Sequence, residues 1–289
     1  MWFPFALSFA ITSSLSVVVA KRIMKGVDEY KYLFASSLFT IPFLFLVSLI
    51  FFPLPRLDST FWVVTSVGTG VSVIGAILVY RAIRQSEISL VNPISAFNPV
   101  FTALFSFLLL GEVVGKKDFL GIATVVVGAY FLQLSKTKKG IFAPIRALIL
   151  HPGVRLSFVG YLLWAITPAF EKTAILHTFP QNPAFAALIG QIVALGLYTF
   201  MVFKTPSNIL SDIRRNWKMF LIIGLLSGIG ITLAFVTFTL TSLGIATAVF
   251  KLSMIFIPVL GWIFFKERDI KERLLGSFVM LIGVILLVT

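Results

Sequence analysis

Cysteine is absent from this 289-residue chain, which excludes a disulfide framework, a thiolate metal site and a cysteine nucleophile. Histidine is nearly absent, and His151 and His177 are too few for a histidine metal cluster. Charge is scarce: 12% of residues are Asp, Glu, Lys or Arg, where a soluble domain carries roughly 25%. No P-loop is present, so a primary nucleotide-driven pump is not expected. What fills the chain instead is apolar. Hydrophobic residues make up 58%, Phe alone numbers 31, and the mean hydropathy is +1.03. Most of the surface must then face lipid rather than water. The net charge of +13 comes in short basic clusters between apolar runs. Such clusters read as topology signals and contacts with anionic headgroups. Nucleic acid is not an expected partner, because no stacking motif or zinc knuckle accompanies them. The first apolar stretch has neither a basic segment before it nor a small-residue cleavage site, so no cleavable leader is expected.

A bilayer core needs about 20 apolar residues per helix. Runs of that kind occupy roughly 2–20, 32–53, 61–80, 90–110, 118–135, 156–178, 183–203, 217–240, 244–265 and 273–288. Their length excludes a transmembrane barrel, whose strands are about ten residues of alternating polarity. Pro42, Pro93, Pro99, Pro168 and Pro258 fall inside spans, where neighbouring helices satisfy the freed carbonyls. The longest polar interruption, 136–155, divides the chain near its middle. Within it, Ile141 to Leu150 is too short to span and is expected at the interface. The expected organisation is a first five-helix repeat (1–135), an interfacial linker (136–155) and a second five-helix repeat (156–289).

Shifting the second half onto the first by 155 residues aligns clusters without a gap. Ala10-Ile11-Thr12 falls on Ala165-Ile166-Thr167. Trp62, Ser72, Gly75 and Leu78 fall on Trp217, Ser227, Gly230 and Leu233. Glu112, Leu120, Gly121 and Gly128 fall on Glu267, Leu275, Gly276 and Gly283. Five is an odd number, so a second copy enters the membrane from the opposite face. The expected fold is therefore an all-α integral membrane protein, ten transmembrane helices arranged as two inverted five-helix repeats. In secondary transporters such repeats place substrate near the midplane between the halves.

Three segments carry a family resemblance: LLLGEVVGKKDFLGIATVVVGAY after the fourth span, its copy IFFKERDIKERLLGSFVMLIGV, and LLWAITPAFEKTAI in the sixth. With the two-times-five plan, the chain resembles the EamA-like branch of the drug/metabolite transporter superfamily over nearly its full length. The second copy departs in having Lys266 where the first has Gly111, and the first span has Phe9 where the sixth has Trp164. The resemblance implies a basket of helices around a central cavity, with the fifth and tenth peripheral. It also implies transport of metabolites such as amino acids, sugars, nucleotide-linked compounds or organic cations.

The basic residues sort by side. Lys21, Arg22, Lys25 and Lys31; Arg81 and Arg84; Lys136, Lys138, Lys139, Arg146 and Arg155; Lys204, Arg214, Arg215 and Lys218; and Lys266, Arg268, Lys271 and Arg273 follow alternate spans. The opposite loops hold little beyond Arg56, Lys116 and Lys117. The positive-inside rule then puts the rich side in the cytoplasm and both termini outside a multi-pass cell-membrane protein.

Charged residues within spans are costly and usually functional. Glu171 in the sixth span and Lys251 in the ninth each lie about seven residues from a helix end. Both are candidate substrate ligands, or structural partners of one another at similar depth; neighbouring Lys172 could snorkel to the interface. Asn92, Ser95 and Asn98, spaced by three between Pro93 and Pro99, share a face that either binds substrate or hydrogen-bonds between helices. Tyr161 and Trp164 offer a stacking wall or ordinary packing, and Gln191 is a lone mid-span amide. Thr12 and Thr167 either back-bond or line the cavity. Glu112 and Glu267 read as helix caps or gates. No catalytic constellation, metal site or cofactor is expected, which counts against a membrane enzyme. Two readings remain. The first is a secondary transporter, preferably an exporter of amino acids or similar small metabolites, with the bilayer and a small-molecule substrate as partners. The second is a flippase for lipid or lipid-linked sugar. The positive Lys251 and the scarcity of unpaired buried carboxylates weigh against an obligate cation antiporter.

Overall fold

A computed structural model describes residues 1–24, 26–85, 91–134, 141–203, 209–265 and 274–289. Among these residues the chain is nearly all helix. In order come α1 (Trp2–Ile23), α2 (Glu29–Phe51), strand β1 (Arg56–Leu57), α3 (Ser59–Gln85), a 3-10 turn (Asn92–Phe97), α4 (Asn98–Leu110), α5 (Lys116–Leu134) and α6 (Ala143–Leu150). Then follow α7 (Pro152–Leu176), β2 (Thr178–Phe179), α8 (Pro183–Phe203), α9 (Ile209–Leu240), α10 (Leu243–Phe250), α11 (Ser253–Phe265) and α12 (Leu274–Val288). Seven of the described helices are long and apolar enough to cross a membrane, and two shorter apolar segments, Leu243–Ile257 and Gly276–Val288, follow them. Outside the described residues lie Lys25, Lys136, Lys138, Lys139, Lys204, Lys266, Glu267, Arg268, Lys271 and Arg273.

Local chemistry sets the helix ends. Asp28 caps α2 by accepting from the Tyr30 and Lys31 amides. Asp58 does the same for α3 through Phe61 N, and Asn182 for α8 through Phe185 N. Pro152 opens α7 at a position where a missing N–H costs nothing. Gly111 ends α4 with φ of 69°, the left-handed conformation that a side chain disfavours. Pro42 and Pro168 sit inside α2 and α7 without ending them.

Two spans differ from continuous helix, and they correspond. The fourth starts as a 3-10 turn over Asn92–Phe97, and the ninth breaks between α10 and α11. There Lys251 N donates to Ala248 O, and Leu252 N to Val249 O. Adding 155 to Ala96 gives Lys251, so both breaks sit at the same repeat position. The eighth span also begins earlier than hydropathy suggests. α9 extends back to Ile209, carrying Asp212, Arg214 and Arg215 on its first turns. The expected linker is partly structured, since it contains α6 and the start of α7.

The principal helix contacts run between the two halves. α3 packs along α7 as α1 packs along α9; α2 meets α8 and α9; α4 meets α7 and α10; α5 lies on α12. At the α5–α12 crossing, a Cβ on Gly128 would stand 2.7 Å from Gly276 O, and one on Gly276 would stand 2.8 Å from Gly128 O. Gly121 and Gly283 face each other in the same way. Only glycine permits this backbone approach. The low-numbered end of α5 thus meets the high-numbered end of α12, so the pair is antiparallel.

Candidate functional site

A cavity of about 270 Å³ lies between the halves, walled by α2, α3, α7, α8 and α9. Its polar wall is mostly hydroxyl: Ser36, Ser37 and Thr40 from α2, Thr65, Thr69 and Ser72 from α3, and Ser227 from α9. Gln191 and Tyr198 of α8 add an amide and a phenol, while Phe170 and Phe235 add apolar rings. Ser36 and Gln191 are equivalent under the 155-residue shift, as are Ser72 and Ser227, so both halves contribute matching positions. Two of these hydroxyls back-bond to their own helix: Thr40 donates to Ser36 O at 2.7 Å, and Ser36 to Leu33 O at 3.0 Å. Thr65 Oγ1 is buried with no partner among the described residues.

Glu171 is the carboxylate in this wall. It projects from α7 beside Phe170, is half-buried, and meets no hydrogen-bonding or ion-pairing group among the described residues. The next residue, about 100° further round the helix, behaves differently. Lys172 Nζ donates to Glu112 Oε1 at 2.5 Å and to Thr241 O at 3.1 Å. Glu112 Oε2 accepts from the Ser106 hydroxyl and from Leu243 N, capping α10. One carboxylate therefore clasps α4, α7 and the α9–α10 turn. Burial opposes its charge, but the Lys172 ammonium, Ser106 hydroxyl and Leu243 amide more than offset that, and Glu112 titrates below the ordinary glutamate range.

The same end of α7 holds more cross-half ties. β1 and β2 pair antiparallel. Asp58 meets His177 Nδ1 at 2.6 Å, and the Phe61 amide first, then His177, lowers the Asp58 carboxyl. Asn182 donates to Ser48 O and Pro53 O. A second set of ties joins α2 and α9 where those helices begin. Lys31 Nζ meets Asp212 Oδ2 at 2.9 Å, and Arg215 donates to Asp212 Oδ1 and to Gly26 O.

The expected site residues divide. Glu171 and Gln191 line the cavity, whereas Ser95, Asn98, Tyr161, Trp164 and Lys251 are not in its wall. The Asn92 side chain lies outside the described residues. Ser95 is buried in the 3-10 turn, and Asn98 Oδ1 is buried without a partner among the described residues. Tyr161 is buried beside Trp164, whose indole Nε1 donates to Ser72 O at 2.9 Å against Gly75. Trp164 thus braces the cavity wall from behind. Lys251 is half-buried at the α10–α11 bend. No ion pair joins it to Glu171, because equal depth does not make two side chains face each other. Thr12 and Thr167 both back-bond. The α2 and α3 hydroxyls were missed, although Thr65, Gly68, Thr69 and Ser72 form a small polar stripe at helical spacing.

A multi-pass helical membrane protein, built from two repeats around a polar-walled internal cavity, is the class these features define. Within it, the chain belongs to the EamA-like transporter family, whose sequence profile matches residues 1–134 and 151–289. Over 63 residues, 22% of its length, the chain is 33% identical to an uncharacterized protein of Methanocaldococcus jannaschii. That match spans 46% of the relative, less than half its length. A solved crystal structure superposes with a TM-score of 0.73 over 99% of this chain and 95% of its own, at 13% identity, which shows a shared fold.

Proposed function

We propose that this protein is a secondary transporter that exports small organic metabolites, such as amino acids, across a cell membrane by alternating access. The carrying observation is the cavity between the repeats, with Ser36 matched by Gln191 and Ser72 by Ser227 across it. A site shared by two equivalent halves can be offered to either side as the halves exchange conformations. Ten spans in two inverted sets of five fit the antiparallel α5–α12 crossing and the reciprocal pairing of α3 with α7 and α1 with α9. With the basic clusters inside, both termini are outside the cytoplasm.

Counterflow in proteoliposomes tests the reading. A radiolabelled amino acid or amine should accumulate only when unlabelled metabolite is preloaded, and assays from each face decide the direction. Filling the cavity by Ser72→Phe should abolish counterflow while leaving the protein folded. Transbilayer movement of labelled lipid, with no metabolite counterflow, would replace this reading with a flippase. The absence of native cysteine makes orientation simple to check. An impermeant maleimide outside cells should label Val113→Cys and spare Arg214→Cys; the reverse pattern would invert the topology.

A further inference from the structure

Among the described residues that line it, the cavity wall holds a carboxylate and no balancing cation. Among its described lining residues Glu171 and Tyr198 are the titratable ones; α2, α3 and α9 present hydroxyls and apolar groups, and α8 adds Gln191. The adjacent Lys172 is turned away onto Glu112 and Thr241. Lys251, the other span cation singled out by the sequence, lies outside this wall. An ionised carboxylate at membrane depth is costly unless something neutralises it. Nothing among the described residues does so, and a proton or a cationic ligand in the cavity would.

We infer that Glu171 is the counter-ion for a small ammonium-bearing metabolite, and that this cation and a proton compete for the same carboxyl. The inference rests on the transport reading above and gives its substrate a charge. The amine N–H groups would meet Glu171 and neighbouring hydroxyls such as Ser72 and Thr69, while Phe170 and Phe235 would cover the hydrocarbon part. No substrate bond breaks. When the cation enters, a proton held by the carboxyl leaves to the water of the open side. Each full cycle then moves one cation in one direction and one proton in the other. This reverses the charge preference suggested by Lys251 in the sequence.

Binding of 2-phenylethylamine, putrescine and tetramethylammonium to the full chain in nanodiscs tests this, with 2-phenylethanol and phenylacetate as the neutral and anionic controls. At least one amine should bind, with both controls weaker by about tenfold or more. Its affinity should rise with pH, approaching tenfold per unit where the carboxyl titrates, as exchange with one proton requires. Glu171→Gln should lose both the charge preference and the pH dependence, and Glu171→Asp should keep both. If Glu171→Gln does not fold, the wild-type charge preference and pH slope decide alone. Binding of phenylacetate in preference to every amine overturns the inference. So does amine binding unchanged in Glu171→Gln, or no amine binding at all. Counterflow of another metabolite alongside any of these leaves the transporter standing; loss of all counterflow removes the transporter reading itself.

Discussion

Glu112 and Lys172 are each about 15% exposed, so their pairing is only weakly screened. Removing one partner leaves the other charge poorly solvated, at a cost of about 1–3 kcal/mol. Lys172→Met should therefore lower the melting temperature more than the Lys172→Met/Glu112→Gln double variant does, and a double-mutant cycle measures the coupling. Additive effects would show that the pair is not coupled. The pH dependence follows from the depressed Glu112 carboxyl. Its stabilisation is full above the ordinary glutamate value of 4.5 and is lost as pH falls through the lower folded value. The stability gap between wild type and Glu112→Gln should close on acidification across that window; a gap that widened would contradict the assignment. Asn182 is fully buried, and all its side-chain groups are engaged. Asn182→Ala should cost about 2–3 kcal/mol by removing a cap and stranding two carbonyls, read by thermal unfolding.

Among the residues that line the cavity, those that stand out chemically are legible in the sequence and the hydroxyls are not. Glu171 and Gln191 interrupt apolar runs and are visible for that reason. Serine and threonine are ordinary in membrane helices, where they back-bond, so Ser36 or Thr69 signals a cavity only through its neighbours at helical spacing. Trp164 is conspicuous in the sequence, but whether an indole faces a cavity or the helix behind it depends on rotation about the axis. Lys251 and Glu171 failed to meet for the same reason: rise per residue can be counted from sequence, and azimuth needs a packed neighbour.

At the scale of elements, hydropathy located the helices well because each must satisfy its own backbone in lipid. It did not show the internal breaks equally. Pro93 and Pro99 mark the first, whereas no proline marks Lys251, and the repeat shift supplies the correspondence. The α5–α12 crossing carries a sharper prediction. A Cβ at Gly128 would lie 2.6 Å from Met280 N, against backbone that cannot swing aside. Gly128→Val should separate these helices, destabilising the protein by about 2 kcal/mol or more. Size-exclusion profile and melting temperature would both register it. Gly196 has nothing within 4 Å of an added Cβ, so Gly196→Ala serves as the tolerated control.

For the whole molecule, ties between the halves occur at both ends. Glu112–Lys172 and Asp58–His177 hold one end; Lys31–Asp212 and Arg215–Gly26 hold the other. In the proposed rocking cycle these must break in turn. Lys172→Met should raise the labelling rate of Ala174→Cys by an impermeant reagent outside, and Lys31→Met should lower it. Removing about 1.4 kcal/mol from one tie changes the conformer ratio about tenfold. Equal labelling in all three backgrounds would mean that these pairs do not set the conformational balance.

Apart from Glu112, which falls on Glu267, the charges of the cavity wall and of the two lysine ties are not duplicated. Under the 155-residue shift Lys172 falls on Val17, Glu171 on Ser16, Lys31 on Ala186 and Asp212 on Leu57. Under the proposed alternating access, these unmatched charges would bias the empty protein toward one of its two resting forms. That bias cannot act as a diode, since at equal proton activity on both faces the ratio of maximal rate to half-saturation must be identical in the two directions. What it can do is set the two half-saturation concentrations apart, with the maximal rates following in proportion. The unmatched charges would thus fix the metabolite level at which each face of the membrane begins to saturate, while leaving the final gradient to thermodynamics.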